Sequence, residues 1–223
     1  MNILSIDTTN TLASVALNDK ELTNNNMITH SEKLMPLIHN LVRDISTIDM
    51  YGINIGPGSF TGTRISVATL KGLNQIHNKK IIGINSLELL ASKYNNKTVC
   101  SILDARNDRV YYAVYENKNN IIKTIILPGA DDISIVLDKV KNINIPNIYF
   151  IGDCCDKFKD KILSFNNSFK IEKNNITRAT DIYNYISNMD NNVLDNHTFS
   201  NYSLDIEYIS LSQAERLKND RNN

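Results

Sequence analysis

The 223-residue chain has little of what most chemistry-bearing classes display. Its three cysteines are Cys100 and the adjacent pair Cys154–Cys155, with no C-x-x-C spacing. That pattern excludes a thiolate zinc site and a disulfide framework, and it points to a reduced, cytosolic setting. Net charge is absent too: 24 basic and 24 acidic side chains cancel. The chain alone therefore lacks the positive field that grips nucleic acid irrespective of sequence. No apolar run approaches the ~20 residues needed to cross a bilayer. The first residues enter a strand pattern without a preceding basic region and long apolar stretch, so no signal peptide is expected. The four histidines, His30, His39, His77 and His197, form neither H-E-x-x-H nor any i, i+4 pair. No metal ligand set is expected from them.

Glycine and proline are scarce as well, eight and four, yet three glycines and one proline fall within Gly56-Pro57-Gly58-Ser59-Phe60-Thr61-Gly62. Glycine permits positive φ and close backbone approach, and proline fixes φ, so this is a tightly shaped loop. Gly52 to Ile55 before it reads as a short buried strand. After it, Ile65, Ala68, Thr69, Gly72, Leu73 and Ile76 recur at helical spacing. Two readings of the loop stand. It lets a strand and a helix pack closely, or it presents free helix N–H groups to an anion, with Arg64 as a charged handle. A Walker A loop does not fit, because Gly62 is one residue too far from Gly56 and Thr63-Arg64 follows it. The dinucleotide fingerprint fails at Thr61, which stands in place of its third glycine. Ser59 is no nucleophile elbow, since G-x-S-x-G would need glycine at 61.

Around this loop the pattern alternates. Strands are expected at 2–7 and 13–18, with a third inside 21–29. Thr29-His30-Ser31-Glu32 is a capping box that opens a helix with His30 at N1. Leu34, Leu37, Ile38, Leu41, Val42 and Ile45 give that helix a wide apolar stripe. Pro36 is placed about one turn inside it, where a missing N–H costs little. A strand at 80–84 and a helix capped by Asn85-Ser86-Leu87-Glu88 and reaching Tyr94 complete a β-β-β-α-β-α-β-α order over the first hundred residues.

The second half restarts the first. Ser5-Ile6-Asp7-Thr8-Thr9-Asn10 then 13–17 matches Ile102-Leu103-Asp104-Ala105-Arg106-Asn107 then 110–114, each an apolar strand ending in Asp, a polar turn and a returning strand. Further strands are read at 121–127 and 149–152, and helices at 131–141 and 177–189; the stretch 142–177 is irregular. About 220 residues suffice for two such lobes.

That duplication, with an aspartate ending each opening strand, resembles the actin, sugar kinase and heat-shock ATPase superfamily. It implies an α/β fold of two tandem actin-like lobes, each a mixed β-sheet flanked by helices. The expected boundaries are 1–100 and 101–204, with 205–218 packing back on the first lobe. Within that superfamily, Ile3-Leu4-Ser5-Ile6-Asp7-Thr8, His30-Ser31-Glu32-x-Leu34-x-Pro36, the glycine loop with Arg64-Ile65, Ser86-Leu87-Glu88 and Leu103-Asp104-Ala105-Arg106 resemble the TsaB family, also called YeaZ. Tyr208-x-x-Leu211-Ser212-Gln213-Ala214-Glu215 resembles its closing segment. The resemblance implies a partner subunit rather than an enzyme, one that serves N6-threonylcarbamoyladenosine formation at position 37 of tRNAs reading ANN codons. It implies a heterodimer with the catalytic subunit TsaD, an assembly that also uses the ATPase TsaE, tRNA contact only through the complex, and a homodimer as the state open to the isolated chain.

The expected partner face lies on the first two helices: His30, Leu34, Leu37 and Leu41 on one, Arg64, Ser66, Thr69 and Leu73 on the other. No catalytic residue, metal or cofactor is expected. ATPases of the superfamily hold phosphates on glycine-containing turns after the two opening strands, and neither turn here contains glycine. Asp7 and Asp104 would ligate Mg²⁺ in a kinase; the alternative is strand-end carboxylates bonding neighbouring amides. A phosphotransferase is the other functional class considered, and a peptidase finds no Ser/His/Asp or metal arrangement.

Overall fold

The computed structural model describes residues 1–25, 30–173, 176–207 and 209. β1 (Ile3–Asp7), β2 (Ala13–Leu17) and β3 (Lys20–Asn24) form an antiparallel meander, followed by α1 (His30–Leu41) and, after a short 3-10 turn, β4 (Met50–Asn54). Next come α2 (Phe60–Asn74), β5 (Lys80–Ile84) and α3 (Ser86–Ser92). β4 lies parallel to β1 and β5 parallel to β4, as crossover connections through helices allow. All five residues of β1 and of β4 are buried, since helices cover both faces of the sheet.

The second half builds the same unit. β6 (Lys97–Asp104), β7 (Arg109–Lys118) and β8 (Ile121–Asp132) meander antiparallel; α4 (Ile133–Asn142), β9 (Ile148–Ile151), α5 (Lys159–Phe165) and β10 (Lys170–Ile171) follow. The sheet orders are β11-β5-β4-β1-β2-β3 and β10-β9-β6-β7-β8, so five strands of each correspond one to one. This is the actin-like duplication in an α/β chain. α5 and β10 fall in the stretch read as irregular, being too short to show a period.

The chain then returns. α6 (Ala179–Ser187) packs on β1, β2 and β4; after α7 (Asn191–Asn196), β11 (Thr198–Phe199) pairs antiparallel with β5. Leu204 is fully buried in the first lobe's core. Residues 179–204, expected with the second lobe, therefore lie on the first sheet. The apolar stripe of α6 fills the sheet face opposite α1 and α2, where Gly52 leaves room for Ile182 and Ile186. Of the segment 205–218, Asp205, Ile206, Glu207 and Ile209 fall within the described residues; Ile206 and Ile209 pack against the first lobe's core and α3, and the Glu207 amide donates to the Ile55 carbonyl.

One local expectation changes. Pro36 is the seventh residue of α1, nearly two turns inside the helix rather than about one. There it removes the N–H that would bond the Glu32 carbonyl, so it costs more than a proline in the first turn would. The Thr29 cap lies outside the described residues. α3 is buried between the sheets, with Leu89 toward the first and Leu87, Leu90 and Ala91 toward the second. No helix among the described residues is long and apolar enough to cross a membrane.

Candidate functional site

The turn after β1 is the first place to look for phosphate chemistry, and it is filled by the chain itself. Asp7 is fully buried. One carboxylate oxygen accepts from the Thr9 amide at 2.9 Å and the Thr9 hydroxyl at 2.7 Å. The other accepts from Asn54 Nδ2 at 3.1 Å and from the Thr177 hydroxyl. Four donors saturate a carboxylate's roughly four lone-pair positions. Asn54 is the hub of this network: its Oδ1 accepts from the Gly56 amide at 3.1 Å and the Ser86 hydroxyl at 2.7 Å. The sequence marks Asn54 only as a polar residue in an apolar strand.

The glycine loop lies against the same turn. Gly56 has φ +99°, a conformation that favours glycine, and the Gly56–Pro57 peptide is cis. A Cβ at Gly58 would sit 2.3 Å from the Thr9 carbonyl oxygen, and one at Gly62 1.9 Å from that of Thr8. The Ser59 amide donates to Thr9 O at 2.6 Å and the Thr8 hydroxyl to Gly62 O at 2.6 Å. Ser59 also caps α2, its side chain accepting from the Gly62 amide at 3.2 Å. Of the two readings of the loop, close packing is the geometry observed: Pro57, Gly58, Thr61 and Gly62 shape a loop seated on Thr8–Thr9. Arg64 stacks over the Phe60 ring, 3.7 Å from its centroid.

The second-lobe turn is more open. Asp104 is partly exposed and accepts from the Arg106 amide at 3.0 Å, with Lys157 close to it and to Asp108. Arg106, Asn107 and Asp108 all have positive φ, a rare run without glycine.

The helix residues divide by burial. Leu34 and Ser66 are fully covered by the chain's own core, and Ser66 donates to the Thr63 carbonyl at 3.0 Å. Both support the surface from beneath rather than form it, which corrects their assignment to a contact face. Leu37, Leu41, Thr69 and Leu73 are half-buried, and Arg64 is exposed. His30 opens α1, and its side chain lies outside the described part of the chain. The face that α2 does present is Phe60, Thr61, Arg64, Ala68 and Gly72, spaced by about one turn, and Ile76 in the turn after the helix is exposed as well. Beside it on α1, Met35, Pro36 and His39 are exposed. A Cβ added at Gly72 would meet nothing within 4 Å, so a neighbour could approach its backbone closely.

One polar cluster escaped sequence reasoning. Glu88 on α3 accepts from the Tyr185 hydroxyl at 2.5 Å and faces His197 Nε2 at 3.1 Å, while His197 Nδ1 faces the Val193 carbonyl at 2.9 Å. Both ring nitrogens meet acceptors, and the Glu88 hydrogen bond raises the histidine's pKa above its ordinary value. Glu88 and His197 are 109 residues apart, so no local spacing reveals them.

Comparison with known proteins adds to this geometry. Residues 12–202 match the family model described as TsaD, tRNA N6-adenosine threonylcarbamoyltransferase. The chain is 34% identical over 163 residues to the tRNA threonylcarbamoyladenosine biosynthesis protein TsaB of Bacillus subtilis (strain 168), covering 68% of this chain and 71% of that one. It is 29% identical over 187 residues to the TsaB protein of Buchnera aphidicola subsp. Schizaphis graminum, covering 78% and 86%. Among solved structures, an uncharacterized protein with similarity to peptidase YEAZ from Pseudomonas aeruginosa superposes with TM-score 0.76 at 17% identity, covering 94% of this chain and 99% of that one. YeaZ from Pseudomonas aeruginosa superposes with TM-score 0.71 at 18% identity, covering 93% and 99%.

Proposed function

The chain belongs to the TsaB (YeaZ) family, and from that premise we propose that it is a non-catalytic partner subunit in tRNA threonylcarbamoyladenosine biosynthesis, binding and supporting a TsaD-type catalytic subunit. The observation that carries the non-catalytic part is the Asp7 turn. Its carboxylate is saturated by Thr9, Asn54 and Thr177, and Gly58 and Gly62 press backbone against Thr8–Thr9 where a polyphosphate would have to approach. Binding Mg-ATP there would require breaking buried hydrogen bonds worth roughly 0.5–1.5 kcal/mol each and leaving their partners unsatisfied. A phosphotransferase reading meets this obstacle in the first lobe.

The partner face in this proposal is the outer surface of α1 and α2. Its exposed apolar residues Met35, Phe60 and Ile76 supply contact area, Arg64 and His39 supply polarity, and Ala68 and Gly72 permit close helix approach. Leu37, Leu41, Thr69 and Leu73 flank it; Leu34 and Ser66 hold it from below. TsaE and tRNA are reached through the assembled complex, and the same face serves self-association when TsaD is absent.

The test is co-expression with the TsaD protein of the same organism, read by size-exclusion chromatography with light scattering. The expected result is a stable heterodimer that Ala68→Arg and Gly72→Arg abolish while the variants stay folded. Normal heterodimer formation by both variants would overturn the face. No heterodimer with the unsubstituted chain, together with tight Mg-ATP binding, would overturn the role.

A further inference from the structure

Tyr202 and Ile76 are the two most exposed large apolar side chains among the described residues, 91% and 84% open to solvent. One belongs to the turn after β11 and the other to the turn after α2, and hydrogen bonds bring these two turns to one place. Asn201 Nδ2 donates to the Lys71 carbonyl and to Gln75 Oε1, each at 3.0 Å. Lys71 and Gln75 continue, at helical spacing, the outward row of Arg64, Ala68 and Gly72. The turn at 200–204 is therefore docked on the last turn of the outer face of α2. Tyr202 extends that face beyond the end of the helix.

The turn is held firmly. The Ser200 amide donates to Ser203 Oγ at 2.8 Å, the Ser203 amide to Ser200 Oγ at 3.1 Å, and the Leu204 amide to the Ser200 carbonyl at 3.0 Å. Leu204 is fully buried in the core that includes Val67 and Leu70 of α2. A side chain presented on such a turn loses less freedom on binding than one on a loose segment. The residue that ties the turn to α2 also carries a cost: Asn201 Oδ1 is buried with no hydrogen-bond partner among the described residues. An unpaired buried acceptor destabilises the free chain, and such departures gather where a residue is kept for what it positions.

We propose that Tyr202, with Ile76 at the same helix end, anchors the TsaD-type partner on the α2 face; the inference rests on the partner role proposed above. Tyrosine is among the residues that most often carry binding energy, its ring supplying contact area and its hydroxyl a hydrogen bond. Gly72 follows Lys71 and leaves its Cβ position open, so the partner can approach the helix closely beside the docked turn. The occupant is a chain of the same architecture. Residues 12–202, Tyr202 included, match the TsaD family model, so such a partner carries its own counterpart of α1 and α2 to lay against this face.

The test measures the dissociation constant of the full chain with the TsaD protein of the same organism by isothermal titration calorimetry. Tyr202→Ala should weaken binding by about tenfold or more while leaving the urea midpoint unchanged. Asn201→Ala, which frees the turn and keeps the tyrosine, should weaken it about three- to tenfold. Leu127→Ala, at an equally open residue on the edge strand of the other sheet, should stay within about twofold. Unchanged affinity in Tyr202→Ala, with Ala68→Arg still abolishing the heterodimer, would overturn the anchor and leave the partner face standing. Failure of the unsubstituted chain to bind TsaD would overturn both. An equal loss from Leu127→Ala, or a loss confined to self-association of the chain, would also overturn the anchor.

Discussion

A methyl group added at Gly62 would sit 1.9 Å from the Thr8 carbonyl oxygen, with Ser59 Oγ at 3.1 Å. The Thr8–Thr9 turn would have to retreat by roughly 1 Å, an overpacking that costs about 1–3 kcal/mol. The retreat also strains two hydrogen bonds of 2.6 Å, Thr8 Oγ1 to Gly62 O and the Ser59 amide to Thr9 O. Each contributes about 0.5–1.5 kcal/mol. Alanine recovers about 1 kcal/mol of helix propensity, because Gly62 is already in α2. The net loss for Gly62→Ala is therefore about 3 kcal/mol. Gly72 in the same helix is the internal control: it is exposed and a Cβ there meets nothing. Gly72→Ala should stabilise the free chain by about 0.5–1 kcal/mol. Urea unfolding followed by circular dichroism measures both. The steric account is refuted if Gly62→Ala unfolds within about 0.5 kcal/mol of the unsubstituted chain, or if both substitutions shift the midpoint in the same direction.

Other outcomes follow from the same geometry. Asp7→Asn places an amide N–H₂ against two donors and should lose about 2–4 kcal/mol; an unchanged urea midpoint would contradict the saturated-carboxylate reading. Leu34→Asp, at a fully buried position, should cost more than ~4 kcal/mol and fail to fold. Ala68→Arg, on the exposed face, should change stability by less than ~0.5 kcal/mol. Loss of folding in the second and not the first would reverse the assignment of the two helix faces. His197 has a raised pKa, first through its hydrogen bond to Glu88. Its contribution is complete below the ordinary imidazole value of about 6.5 and is lost as pH rises through the higher folded value. Stability should fall across that window, and His197→Gln should flatten the slope; an unaltered slope would rule the pair out as its source.

What was legible in the sequence was whatever is local. The two β-meanders, the Asn85 cap of α3 and the glycine loop's tight shape rest on short-range pattern, and the strands at Ile3–Asp7 and Lys80–Ile84 fall where that pattern places them. The family resemblance rested on the same motifs. α2 shows where apolar periodicity misleads. The stripe of Ala68, Gly72 and Ile76 faces outward, while its buried side includes Gly62, Thr63, Ser66 and Asn74. Those polar residues can be buried because their groups are satisfied close by: Ser66 on the Thr63 carbonyl, Asn74 on the Lys79 backbone at 2.7 and 3.0 Å. Asn54, Thr177 and the Glu88–His197 pair were illegible because their side-chain partners lie 32 to 170 residues away.

The return of the chain to its first sheet also sets a timetable for biosynthesis. β5 is complete at residue 84, but the strand that covers its edge is not made until residues 198–199. At about 5–20 residues per second, a ribosome takes roughly 6–23 s to cover that distance. Throughout it the β5 edge has no β11, and until residue 187 is made the face of β1, β2 and β4 has no α6. An open edge and an uncovered apolar face are what other nascent strands and holding chaperones recognise. The first lobe, though first to emerge, is thus the last to be finished, and ribosome-bound chains stalled before residue 179 should show protease-sensitive first lobes.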